Sequence, residues 1–233
     1  MYSEKIGIIG GFGAYATLHF YRRILEEFAG KSEREYPHII MDNNFTMPSR
    51  TRALLYNESY DEIVRAIAAS FEIMLENQVN KIVMVCGTAH YFLEDVFKII
   101  PEAKSKVVNI VDCLGERLQV DQIKKVLIVA AEGTLLKNLY SDILGKRYHI
   151  ECISPKKEEY SEIRFFIEGV KGNHFDDEIM LRFQNFLDVF GIENVVLGCT
   201  EFPILVEKIN WKERYHFYDP LEITIQKLKE TLI

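Results

Sequence analysis

The sequence predicts an α/β protein of two pseudo-symmetric domains, each a mostly parallel sheet flanked by helices, with the active site between them. Three observations carry that expectation. Apolar, β-rich runs alternate with longer amphipathic stretches from end to end. The runs are nearly continuous in apolar residues, the pattern of strands covered on both faces. Finally, the chain repeats itself: KIGIIGGFG (5–13) lines up with KVLIVAAEG (125–133), and KIVMVCGT (81–88) with ENVVLGCT (193–200).

The predicted strands, in order, are KIGIIG (5–10), HIIMDN (38–43), KIVMVC (81–86), KVVNIV (106–111), KKVLIVA (124–130), HIECI (149–153), NVVLGC (194–199) and YHFYD (215–219). Each is short and rich in Ile, Val or aromatic residues. Between them, DEIVRAIAASFEIMLENQ (61–78) and DDEIMLRFQNFLDVF (176–190) place apolar residues three and four apart, giving each helix one apolar face. No proline- or glycine-rich linker separates the repeats, and the boundary is placed near residue 112.

Composition narrows the function. A hydrophobic content of 48% with 27% charged residues is that of a soluble globular chain, and no apolar run reaches bilayer length. The first residues, MYSEKIGIIGG, run straight into a strand pattern without a basic stretch before an apolar one, so the sequence reads as cytoplasmic. A net charge of −7 disfavours nucleic acid as the main partner. It leaves room for an acidic small molecule held by one or two local cations. The four cysteines form no CxxC pair and the six histidines no HExxH, so neither a disulfide nor a metal framework is expected.

Cys86 and Cys199 end equivalent strands just before expected helix N-termini, where ligands collect in parallel sheets. That position is expected to lower a thiol pKa from about 8.5. Two thiols reaching one pocket from opposite sides suit inversion of a stereocentre, since one removes a proton from one face while the other returns one to the opposite face. Buried packing is the competing reading for a lone strand-end cysteine, and it is the one adopted for Cys113 and Cys152. Arg50 could clamp a carboxylate or lie on the surface, and Lys171 could be a ligand cation or a charge near a helix end. Thr88 and Thr200 could bind a carboxylate or cap helices. His90 reads as a packed or tuning histidine and Glu201 as a first-turn acid. Gly11, Gly13 and Ala16 also fit a G-x-G-x-x-G/A dinucleotide turn with Asp42 as the ribose acid, a lesser reading because the pattern is short.

Taken together, these stretches resemble the aspartate/glutamate racemase family of cofactor-independent amino-acid racemases. GGFGAYAT (10–17) resembles its GGMGPxAT, PSRT (48–51) its P-x-R-T, and CGTAHYF (86–92) its CNTAHYF. VKGN (170–173) resembles its V-K-x-G, and LGCTEFPIL (197–205) matches the second cysteine motif. The resemblance implies Cys86 and Cys199 as the catalytic pair, with no cofactor and no metal. It implies a substrate-binding set of Gly11, Phe12, Arg50, Thr51, Gly87, Thr88, Thr200 and Lys171, with Arg50 on the distal carboxylate. The implied substrate is a small acidic amino acid or related small carboxylate, aspartate first and glutamate second, with no membrane partner. It also implies a homodimer and a C-terminal helix that returns to the first domain, giving domains of 1–112 plus 209–233 and 113–208. Three departures stand out: Gly87 replaces the family's asparagine, Phe12 a methionine and Ala14 a proline. An isomerase or decarboxylase of a small diacid, or a non-catalytic small-acid-binding protein, remain the alternatives.

Overall fold

A computed structural model describes residues 2, 4–174, 176–209, 211 and 214–232. The first half runs β1 (Lys5–Gly10), α1 (Ala14–Glu27), β2 (His38–Asn43), α2 (Arg50–Tyr56), α3 (Tyr60–Glu76), β3 (Lys81–Met84), α4 (Leu93–Ile99) and α5 (Ile110–Val120). The second runs β4 (Lys125–Val129), α6 (Glu132–Leu136), α7 (Leu139–Tyr148), β5 (Glu151–Ile153), α8 (Tyr160–Lys171), α9 (Asp177–Asp188), β6 (Asn194–Leu197), α10 (Phe202–Val206), β7 (His216–Tyr218) and α11 (Pro220–Leu232). Among the described residues no helix is long and apolar enough to cross a membrane.

Two parallel sheets result, ordered β2-β1-β3 and β5-β4-β6-β7. In β1 the alternation of strand side chains sends Ile6 and Ile8 into the larger core and Ile9 into the smaller one, all with no exposure. The repeat holds residue by residue. Ile9 pairs with Met84 in the first sheet and Val129 with Leu197 in the second. One more ladder bond follows in each, Val85 N–H to Ile9 O and Gly198 N–H to Val129 O. Cys86 and Cys199 therefore stand at equivalent points, two residues past the last paired ones.

The expected strand at 106–111 is corrected to one parallel bridge, Val107 to Ile82. Its cause is local: the Asn109 side chain accepts from the backbone N–H groups of Val111 and Asp112 at 2.9 and 3.3 Å, which starts α5 and ends the extended run. Asp219 does the same at the end of β7, accepting from Leu221 N–H at 2.9 Å and opening α11. Asn109→Ala is expected to cost about 1 kcal/mol, read as a melting temperature lower by about 2–4 °C. An unchanged transition would show that the cap is not what sets this boundary.

The helix after each sheet crosses to the other half. α5 packs on α7, α11 packs on α1, and the two lie against each other. Arg23 of α1 makes a two-pronged ion pair with Glu222 of α11 at 2.9 and 3.0 Å, while Arg147 of α7 pairs with Asp112 of α5 at 2.8 Å. The division expected from sequence therefore needs adjusting at its end. α11 packs on the first half, but β7, within 209–233, is a strand of the second sheet.

Candidate active site

The strand ends carrying Cys86 and Cys199 open onto a cavity of about 370 Å³, lined by residues of both halves. This is the size of a small-ligand site. Of the residues expected from sequence, Phe12, Arg50, Thr51, Cys86, Gly87, Thr88, Lys171, Cys199 and Thr200 all line it. Gly11 does not. It borders a neighbouring cleft, where its φ of +83° and the Asn44 backbone, 2.3 Å from where a Cβ would stand, mark it as a tight turn. The two halves meet at the site through Thr88 and Thr134, whose hydroxyls are 2.7 Å apart.

The two thiols have opposite neighbours. Cys86 has Arg50, the first residue of α2, positioned by Ser49, whose hydroxyl caps that helix on Arg52 N–H. One Nη of Arg50 donates to Pro48 O at 2.8 Å and the other to Phe12 O at 2.7 Å, with the guanidinium 5.2 Å from the Phe12 ring centroid. Its Nε is buried without a hydrogen-bond partner among the described residues. The free planar fork expected from sequence is therefore engaged on carbonyls. What Arg50 brings to the site is its charge, with no carboxylate pairing among the described residues.

Cys199 has Glu201 instead, a residue only 4% exposed. The Glu201 carboxylate accepts from the Cys199 thiol at 3.0 Å and from the Thr200 hydroxyl at 3.2 Å. The expected lowering of thiol pKa is overturned. Burial pushes the Cys86 thiol up, with Arg50 and the Ala89 amide pulling it only part of the way back. Burial, followed by the Glu201 charge and hydrogen bond, pushes Cys199 well above the ordinary range. Desolvation of the thiolate outweighs the strand-end position, and the asymmetry leaves Cys86 the more readily ionised of the two.

Glu201→Gln removes an anion that disfavours the Cys199 thiolate, so Cys199 is expected to ionise at lower pH. The check is the pH dependence of its alkylation by iodoacetamide, followed by mass spectrometry. A profile identical to the parent's would dismiss Glu201 as the cause.

Lys171 remains an ammonium. Burial works against its charge, but Glu201 and Glu168 outweigh it and raise its pKa. Its Nζ lies 3.2 Å from Glu168 Oε1. The hydroxyls of Thr88 and Thr200 cap no helix; each is committed inside the site.

His90 is buried and its Nδ1 lies 2.9 Å from Cys86 O, so Nδ1 carries the proton and donates it. Burial, the dominant influence, lowers its pKa from 6.5 to about 4. The unfolded chain binds this proton at higher pH than the folded one. His90 therefore contributes stability above pH 6.5 that is lost as pH falls towards 4, at most roughly 3 kcal/mol. Asp219, raised by burial to about 7, works in the opposite direction over much of the same range. The contribution is thus read as a difference: His90→Asn should lose less stability than the parent between pH 6.5 and 4 in urea titrations. Parallel curves would show that His90 does not titrate on unfolding.

Several lining residues escaped the sequence reading, among them the ion-paired Glu132 and Arg164. Glu132 is buried and paired with Arg164 at 2.6 Å. The repeat sets Glu132 opposite Phe12, a signal that was available. Arg164 carries none, since nothing separates it in sequence from any other arginine on a helix.

The family model for Asp/Glu/Hydantoin racemase matches residues 9–228. The chain belongs to that family. Among racemase relatives, the glutamate racemase of Clostridium novyi is 26% identical over 161 residues, which cover 66% of this chain. The matched segment spans 58% of that enzyme's length. Among solved structures, the aspartate racemase of Picrophilus torridus superposes with a TM-score of 0.81 at 21% identity, covering 99% of this chain and 94% of that one. An aspartate racemase homologue from Pyrococcus horikoshii OT3 gives 0.75 at 25% identity, covering 98% and 99%. The two parallel sheets flanked by helices are thus the architecture of solved racemases.

Proposed function

We propose that this racemase-family protein interconverts the enantiomers of a small acidic amino acid, aspartate first and glutamate second, through Cys86 and Cys199. The observation that carries the reading is the pair of thiols at equivalent strand ends, opening on one cavity from its two halves. In one direction the Cys86 thiolate, favoured by Arg50, takes the α-proton. The electron pair left on the α-carbon delocalises into the α-carboxylate, and the Cys199 thiol returns a proton to the opposite face. In the other direction the Cys199 thiolate is the base and the Cys86 thiol the acid; that state is reached from rest when Glu201, 3.0 Å from the Cys199 sulfur, accepts its proton and Cys86 takes one up from solvent. Each pass leaves one thiol protonated and the other not, so the balance of protons is conserved.

Substrate class follows from charge. Lys171 faces Glu168, Arg164 faces Glu132 and Arg52 faces Glu58, each in an ion pair. Arg50, whose charge meets only neutral carbonyls, favours a substrate carboxylate nearby. The relatives named for aspartate and glutamate act on substrates of that kind by name.

The reaction is tested in heavy water with single enantiomers of aspartate, glutamate and neutral amino acids. α-Proton loss is followed by NMR and enantiomer ratio by chiral chromatography. Racemisation with deuterium incorporation, greatest for the acidic pair, is expected. Binding without exchange would point to a sensor, and turnover of a small diacid to an isomerase or decarboxylase.

A further inference from the structure

Gly87 borders the cavity beside Cys86, and its missing side chain has a counterpart elsewhere in the molecule. A Cβ built on Gly87 would stand 2.7 Å from the hydroxyl oxygen of Tyr140 and 2.6 Å from Gly198 O. Gly198 is likewise hemmed in: its Cβ would lie 3.0 Å from the Tyr140 ring. Glycines beside both cysteines therefore make room for one tyrosine of α7, whose hydroxyl takes the space a side chain at position 87 would need.

That hydroxyl is unusual in two respects. Tyr140 is 2% exposed, and its oxygen has no hydrogen-bond partner among the described residues. Among the described residues the fully enclosed orphan side-chain atoms are Glu4 Oε2, Arg50 Nε and His90 Nε2, so the Tyr140 oxygen, which is not among them, retains a little exposure, although Tyr140 does not itself line the cavity as Gly87 does. An unpaired buried hydroxyl is destabilising, a cost that phenylalanine would avoid. The repeat supplies the comparison: seven residues beyond Gly13 stands Phe20, and seven beyond Gly133 stands Tyr140, both in the larger core.

We propose that Tyr140 is a further catalytic residue of this site: its hydroxyl, reaching past Gly87 between the two cysteine-bearing turns, donates a hydrogen bond to the substrate's α-carboxylate. The inference rests on the two-thiol reading above. Negative charge grows on that carboxylate as the α-proton leaves, so a fixed donor there is worth more in the transition state than in the bound substrate. Burial, reinforced by nearby Cys199 and Cys86, keeps the phenol protonated and therefore a donor.

Tyr140→Phe removes the oxygen and retains the ring. The expected result is a kcat lower by about 10²-fold, with KM raised by no more than about tenfold. Melting temperature should not fall, and the pH profiles of Cys86 and Cys199 alkylation should be unchanged. Calorimetric titration with L-aspartate and with succinate separates this proposal from the activity. The variant should bind L-aspartate about tenfold more weakly even if the parent shows no α-proton exchange, in which case the racemase reading fails and Tyr140 stands. Parental kcat and affinity in Tyr140→Phe overturn the proposal. So does a loss of activity that comes with unfolding or with a shifted thiol profile, either of which makes Tyr140 a packing residue. Absence of binding by the parent to both compounds overturns it as well.

Discussion

Alanine at Cys86 or at Cys199 is expected to lower racemisation by about 10²–10⁴-fold, the range for losing one positioned acid or base. The two losses should differ in kind. With Cys199→Ala, Cys86 still faces one side of the α-carbon beside Arg50. The enantiomer presenting its proton to that side should exchange with solvent deuterium slowly and with retention. Cys86→Ala should leave little exchange of either enantiomer, because the remaining thiol is held protonated by burial and by Glu201. NMR exchange and chiral analysis on the same samples read both outcomes. Equal residual exchange in the two variants would discard the assignment of Cys86 as the resting base, and parental racemisation in either would discard the mechanism.

Arg50→Lys should be nearly as damaging although it keeps the positive charge. The guanidinium joins the Phe12 turn to the segment before α2 through three carbonyls, Phe12, Pro48 and Met47. An ammonium on a flexible stem cannot hold that planar geometry. A charge-assisted hydrogen bond is worth about 1.5–3 kcal/mol, so kcat/KM for aspartate should fall roughly 10–100-fold. Cys86 alkylation should also move to higher pH as the guanidinium withdraws. Steady-state kinetics with an acidic and a neutral amino acid provide the check. An equal loss for both would show that Arg50 shapes the loop without reading the substrate's charge.

How much of this was legible in the sequence depends on how local each cause is. The limits of β1 and β2 agree with the apolar runs because pairing alone sets them. The runs ending at Cys86 and Cys199 overreach their strands by two residues, because the two cysteines leave the ladder to line the cavity. The run at 106–111 misleads because one asparagine side chain converts its second half to helix. At the site, the cysteines and Arg50 stand in recognisable motifs. Glu201 was visible too, but only its 3.0 Å approach to a sulfur gives it a role beyond its place before α10. Thiol ionisation was misjudged because a motif shows a strand end and a coming helix, while desolvation depends on everything folded over it. Tyr140 lies 53 residues from Gly87 in the chain, and only the fold shows that its hydroxyl fills the space a side chain at Gly87 would need.

The crossed helices have a consequence for how the molecule can be divided. Each sheet is roofed in part by a helix that the chain supplies after leaving the other sheet, so neither half carries its own complete cover. Cutting the chain between α5 and β4 would leave α1 without the Glu222 and Lys229 ends of its ion pairs, and α7 without the partner of Arg147. The larger core crosses the same divide, holding Ile6, Ile8 and Phe20 in one cluster with Val126, Leu127 and Phe166. Despite its visible duplication, the chain is thus built to fold as one cooperative unit. A descendant could not shed either half and keep the other intact.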